Sequence, residues 1–195
     1  MQARIAIKLL TLAVGIFLFL SLAAVPASAQ TQVFQTTAQG TGEQMAVQFG
    51  LEITIDTFSG PEDQKVLWDA FQQGGNPAVA AALKKMPKRG QLFPSRGAPY
   101  DITYAREILM PDGTRIIRVV TNRFVTLAEL GGRAQWSADF DISAVQLELN
   151  PDMKKSTGTF LPACQFTMDK EKGFQIELRQ NAWKLIWITE KTKSK

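Results

Sequence analysis

Val47-Gln48-Phe49-Gly50-Leu51-Glu52-Ile53-Thr54-Ile55-Asp56 alternates apolar and polar side chains without a slip. Successive side chains of an extended chain point to opposite faces, so this stretch predicts a strand with one face in a core and the other in water. Ser59-Gly60-Pro61-Glu62 then signals a helix start: proline fits the first helical position, and acids suit the first turn. Val66, Leu67, Ala70 and Phe71 follow at helical spacing, and Gly74-Gly75 stops the pattern. Asn76 caps and Pro77 opens a second run, with Val79, Ala80, Leu83 and Met86 on its apolar stripe and Pro87 and Gly90 at its end. The two runs predict an αα-hairpin. Leu67, Phe71, Val79 and Leu83 are expected on the sheet that contains Phe49, Leu51 and Ile53.

Beyond residue 91 the chain reads as strands. Tyr100, Ile102 and Tyr104 share one face of an alternating run. Met110-Pro111-Asp112-Gly113-Thr114 is a hairpin turn, and Arg115 to Val120 is its returning strand, apolar on both faces. Trp136, Ala138, Phe140 and Ile142 keep the even phase, whereas Val145, Leu147 and Leu149 keep the odd one, so a bulge or bend is expected near Ser143-Ala144. Thr157 to Met168, Phe174 to Leu178 and Trp183 to Thr189 complete the set. The fold class is α+β: an antiparallel β meander of about seven strands, curled or barrel-like, with the αα-hairpin between the first two strands. Residues 46–189 form the single domain, residues 30–45 a flexible leader and residues 190–195 a charged tail.

Residues 1–29 read as a signal peptide. Arg4 and Lys8 precede the uncharged stretch from Leu9 to Val25, and Ala27-Ser28-Ala29 offers small side chains for cleavage between Ala29 and Gln30. The competing reading is an uncleaved anchor, because that stretch as a helix spans about 26 Å, near the lower limit for a bilayer core. The expected location is periplasmic or extracellular, with membrane contact only through the N-terminal segment if it is kept. Removing Arg4 and Lys8 lowers the formal net charge from +4 to +2, a poor match for a nucleic-acid partner.

Ala82-Leu83-Lys84-Lys85-Met86-Pro87-Lys88-Arg89-Gly90, then Tyr100-Asp101-Ile102-Thr103-Tyr104-Ala105-Arg106-Glu107 with Pro111-Asp112-Gly113, then Arg118 to Asn122 with Phe124, form a recognisable pattern. It resembles the ALxxMPxxG … YDxxYAR … PDG pattern of a group of uncharacterised exported bacterial proteins, over roughly residues 47–180. The group's pattern ends in a Pro-Val-Arg-Leu-like run, from which Gln180 to Ile186 departs. The resemblance implies export and a shared fold, and carries no activity.

The 195 residues include no histidine, which excludes every histidine-based triad and metal site, and the one cysteine, Cys164, excludes an intrachain disulfide. Cys164 lies in an apolar strand and reads as a buried small side chain. Asp139 and Asp141 share a strand face and could hold a hard cation, but the ordinary reading is a solvated sheet face, since Trp136, Ala138, Phe140 and Ile142 mark the opposite side as core; Asp101 and Thr103 read the same way. Lys154-Lys155-Ser156-Thr157 falls in a turn and lacks the Ser-x-x-Lys spacing of a nucleophile. Lys84, Lys85, Lys88, Arg89 and Arg96 suit a helix C-terminus or, in a functional reading, anionic headgroups or a polyanion. No catalytic residue, metal ligand or cofactor is assigned. The aromatic residues Tyr100, Tyr104, Trp136 and Trp68 are the candidate ligand-binding set, at an apolar pocket of a curled meander. The expectation is an exported envelope protein that binds or scaffolds without catalysis, its partner an apolar small molecule or an envelope protein. The alternative is a carboxylate-dependent hydrolase.

Overall fold

The computed structural model describes residues 30–42, 45–126, 141–169, 173–177 and 182–193. The signal-peptide segment, Trp136, Asp139 and the alternation from Trp136 to Phe140 lie outside the described residues. The elements are β1 (Thr31–Gln39), β2 (Gln48–Ile55), α1 (Pro61–Leu83), β3 (Gly90–Pro94), β4 (Tyr100–Leu109), β5 (Arg115–Thr121), β6 (Ile142–Leu149), β7 (Thr157–Asp169), β8 (Gly173–Glu177) and β9 (Trp183–Lys193). A short 3₁₀ turn, Met153–Lys155, precedes β7.

Strands are hydrogen-bonded in the order β6-β5-β4-β3-β2-β1-β9-β7-β8, and β6 also pairs with β7. That last pairing closes the sheet. β1 to β7 and β9 form an antiparallel barrel of eight strands, while β8 pairs with the far half of β7, Phe166 opposite Ile176. The β-rich antiparallel expectation holds; the strand count of about seven was low.

Two segments expected to be loose supply the missing pairing. The leader, residues 30–45, contains β1, and the charged tail, residues 190–195, contributes the end of β9 through Lys193. They pair with each other, Thr31 opposite Lys193 and Gln35 opposite Thr189. β1 was disguised by its polar composition. Thr31 and Thr36 bury because they are bonded: Thr31 Oγ1 donates to Asp56 at 3.0 Å and Thr36 Oγ1 to the carbonyl of Ile186 at 2.8 Å.

An eight-stranded barrel is just wide enough for side chains to fill, and here they do. Phe34, Phe49, Leu51, Ile53, Tyr100, Ile102, Ile117, Leu147, Phe160 and Trp183 belong to one buried cluster in the lumen. Phe49 meets Phe160 edge-on at 6.3 Å and Trp183 at 5.1 Å. The helix therefore cannot cover Phe49, Leu51 and Ile53 as expected, because closure turns that face of β2 inward. Instead Leu67, Val79, Ala80 and Leu83 bury against Val120, Ile142, Ala144, Leu161, Cys164 and Phe166, on the outside of the barrel wall. Phe71 packs at the margin of this second cluster.

β6 explains the change of hydrophobic phase. Ile142 and Ala144 belong to the outer cluster and Val145, Leu147 and Leu149 to the lumen, so one strand is covered on both faces. A register shift against β7 does fall between Ile142 and Ala144. In place of the expected αα-hairpin stands α1, whose two helical runs are separated at the non-helical Gly74-Gly75, and it lies between the second and third strands. Gly75 takes φ 62° and ψ −150°, a conformation open to glycine and scarcely to other residues.

The end of α1 is tied back to its start. Asp63 Oδ2 accepts from the Gly60 N–H at 3.0 Å and pairs with Arg89 at 2.8 Å. Arg89 donates its own N–H to Ile102, which seats the following Gly90 in β3. A Cβ on Gly90 would lie 2.0 Å from the Thr54 carbonyl oxygen, so the two strands meet there only because the residue is glycine.

Candidate functional site: a groove between the helix and the barrel wall

A β-bulge builds the site. The β4–β5 register shifts between Ile102 and Tyr104, so Thr103 is the extra residue. Tyr100, Ile102 and Ala105 consequently point into the lumen, while Tyr104 points outward beneath α1. Tyr100 and Tyr104, expected on one face, are on opposite sides of the wall.

Outward-facing residues from three strands meet the first half of α1. Leu67 and Trp68 of the helix, Tyr104 of β4, Val120 of β5 and Phe166 of β7 line an apolar groove, with Gln64, Arg106 and Arg118 at its polar end. The deeper part has a volume of about 90 Å³. A shallower part of about 320 Å³ continues past Gln64, Tyr104 and Arg106 toward Phe58, Gly60 and Pro61 at the helix start. Trp68 remains 41% exposed there, although it is a large apolar ring.

The kink orients this groove. Asn76 follows it directly, and its side-chain amide donates to the Phe166 carbonyl at 2.9 Å and accepts from the Phe166 N–H at 2.6 Å. Sequence reading made Asn76 a helix cap; its amide is spent on β7 instead.

Arg106 and Arg118 are directly opposite one another in the β4–β5 register, and both face outward. Like charges directly opposite across two strands repel. Arg106 Nη1 donates to Gln64 Oε1 at 3.0 Å and Arg118 Nε to Gln146 Oε1 at 2.8 Å. Among the described residues neither has a carboxylate within salt-bridge distance. The nearby acids are engaged elsewhere: Asp63 with Arg89, Glu107 with Arg115, and Glu148 with the Gln146 amide. Burial pushes the Tyr104 phenol above its ordinary pKa, against the opposing pull of Arg106 and Arg118.

The lumen is occupied by the buried cluster described above. At one end Arg115 of β5 crosses it, donating from Nε to Glu107 at 2.7 Å, from Nη1 to Glu190 at 2.8 Å and from Nη2 to Gln32 at 3.0 Å. Gln32 and Glu190 sit on β1 and β9, which are not ladder neighbours of β5, so the guanidinium bridges strands across the barrel. Elsewhere Ser143 Oγ donates to the Pro162 carbonyl and accepts from the Val125 N–H at 2.7 Å, which accounts for a fully buried hydroxyl.

Of the four predicted ligand-binding residues, Trp68 and Tyr104 come together in the groove, Tyr100 is buried in the lumen with Arg123 stacked 4.0 Å from its ring, and Trp136 lies outside the described residues. Asp141 is exposed, and its proposed companion Asp139 is not described. Asp101 pairs with Lys88 at 2.8 Å, and that contact holds its carboxyl below the ordinary value. Cys164 is buried under α1, and burial pushes its thiol up to about 12. Among the described residues no cluster of three or more metal-ligating side chains occurs, and no helix is long and apolar enough to cross a membrane. Gln64, Arg106, Arg118 and Phe166 were missed from sequence. The two arginines left a signal: they stand equally far on either side of Asp112 in the Met110–Thr114 turn, so hairpin register alone sets them opposite each other.

Comparison of the chain with models of known families, with curated proteins and with solved structures finds no significant match.

Proposed function

We propose that this is an exported protein of the bacterial cell envelope that binds an apolar ligand without transforming it. The observation that carries this reading is the groove beneath the first half of α1, where Leu67, Trp68, Tyr104, Val120 and Phe166 converge and leave a large ring half in water. Apolar pockets with a few polar groups at one end are the common form of a small-molecule site. The side-chain-filled lumen directs attention to the outer wall, and the barrel supplies a rigid support for the groove. Export is argued from Arg4, Lys8, the uncharged stretch to Val25 and the Ala27-Ser28-Ala29 site.

Titrating the purified protein with dodecyl probes of different headgroup tests the binding. A saturable change in Trp68 emission, with calorimetric heat that weakens in Trp68→Ala, is the expected result. Absence of heat with every probe overturns the reading. Intact mass of the exported protein tests the address: the chain is expected to start at Gln30, and retention of residues 1–29 in the membrane fraction would establish an anchor.

A further inference from the structure

The cross-strand pair Arg106–Arg118 is costly as it stands. Two guanidiniums face each other on adjacent strands at the polar end of an apolar groove. Their protein partners, Gln64 and Gln146, are neutral amides that satisfy one nitrogen of each and cancel no charge. The contrast with Arg115 is informative, since that guanidinium is matched by two carboxylates. Neutralising both Arg106 and Arg118 by protein would need two acids on this face; among the described residues the acids nearby are committed to other cations or to an amide.

We infer that the groove takes an anionic amphiphile, its carboxylate or phosphate head held between Arg106 and Arg118 and its first methylenes against Leu67, Trp68, Val120 and Phe166. This rests on the reading of the groove as a ligand site and adds the charge and polarity of the ligand. Guanidinium groups suit this head, because their planar donor fork matches carboxylate and phosphate oxygens. An oxyanion between them turns repulsion into two charge-assisted hydrogen bonds. Tyr104 lines the groove beside Arg106, and its phenol, protonated at neutral pH, adds a donor rather than a competing anion. The deep part is short, about 90 Å³, so only the start of an acyl chain is enclosed, and the shallower part beyond Gln64, Tyr104 and Arg106 lies on the side of the head.

The test compares dodecanoate, dodecyl phosphate and 1-dodecanol, each below its micellar or solubility limit, by calorimetry on the full exported protein. The acid is expected to bind at least about tenfold more tightly than the alcohol, given the usual strength of hydrogen bonds to charged groups. Rising salt should erode that advantage. The acid and phosphate arms separate the two possible heads. In Arg106→Gln and Arg118→Gln the acid's advantage should disappear while dodecanol binding stays as it was. Folding of both variants is checked by melting, and neither is expected to melt lower than wild type, because each relieves the cross-strand repulsion. Equal binding of acid and alcohol by the wild-type protein overturns the anionic head and leaves the apolar groove standing. Binding of none of the three overturns both.

Discussion

Asn76 is joined to Phe166 by a reciprocal pair of hydrogen bonds, its amide nitrogen donating to the carbonyl at 2.9 Å and its amide oxygen accepting from the N–H at 2.6 Å. The side chain thus imitates a strand partner, and it fixes both the kink of the helix and the floor of the groove. Asn76→Ala removes both bonds beside a residue that is nearly fully buried, so a loss of ~2–3 kcal/mol is expected by denaturant unfolding. Asn76→Asp keeps an acceptor and loses the donor, and should fall between. A variant with wild-type stability would show that the amide is not what docks the helix.

Gly90→Ala is expected to cost at least ~3 kcal/mol, or to prevent recovery of folded protein, because the added Cβ meets the Thr54 carbonyl oxygen at 2.0 Å. Backbone carbonyls cannot swing aside as a flexible side chain could. Thermal melting decides it, and a shift of only a degree or two would mean that β2 and β3 part easily.

Replacing Arg115 with Met leaves Glu107 and Glu190 half-buried without their shared cation. The expected loss is ~1–3 kcal/mol, below the figure for a fully buried pair because the guanidinium is 27% exposed. The double variant Glu107→Gln with Glu190→Gln in the Met background should recover part of it. Urea midpoints with the slope held constant give the measurement.

Cys164 reports on the outer cluster. Its thiol has a folded pKa raised from 9.0 to about 12 by burial. Between those values the unfolded chain releases a proton that the folded one keeps, so stability is full below pH 9 and falls as pH rises toward 12. Cys164→Ala should flatten that alkaline decline, after allowance for the cavity it leaves. Labelling by a thiol reagent at neutral pH should be slow in wild type and faster in Asn76→Ala, where α1 is released.

Trp187 takes φ 55° while 75% exposed on β9. A left-handed backbone costs a bulky residue ~1–2 kcal/mol. Trp187→Gly relieves this at the expense of a more flexible unfolded chain, so stability should be unchanged or rise by up to ~1 kcal/mol. A drop of more than ~2 kcal/mol in chemical unfolding would mean that the ring packs on the protein in solution.

The legible parts of the sequence were those with clean periodicity. The alternation in β2, the Met110–Thr114 turn and the glycine break after Phe71 were readable because each is a local matter of side-chain spacing or permitted φ. Closure was not local. β1 carries few large apolar residues, and Thr31 and Thr36 are buried only because Asp56 and the Ile186 carbonyl are there to receive them. Nothing within residues 30–45 announces those partners. The site was half legible for a similar reason. Trp68 and Tyr104 stand out by type, but the bulge at Thr103, which separates Tyr104 from Tyr100, depends on the pairing of β4 with β5.

The seam between β1 and β9 sets the timetable of folding. Across it Thr36 bonds to Ile186, 150 positions along the chain. Such long-range pairings come late, because the entropy of closing the loop must be met before any contact returns it. Until Trp183 to Lys193 is available, β1 has one open edge, and open edges invite pairing with other chains. Losing the strand from Trp183 to Lys193 is therefore an injury to β1 as well, since the two close the barrel together.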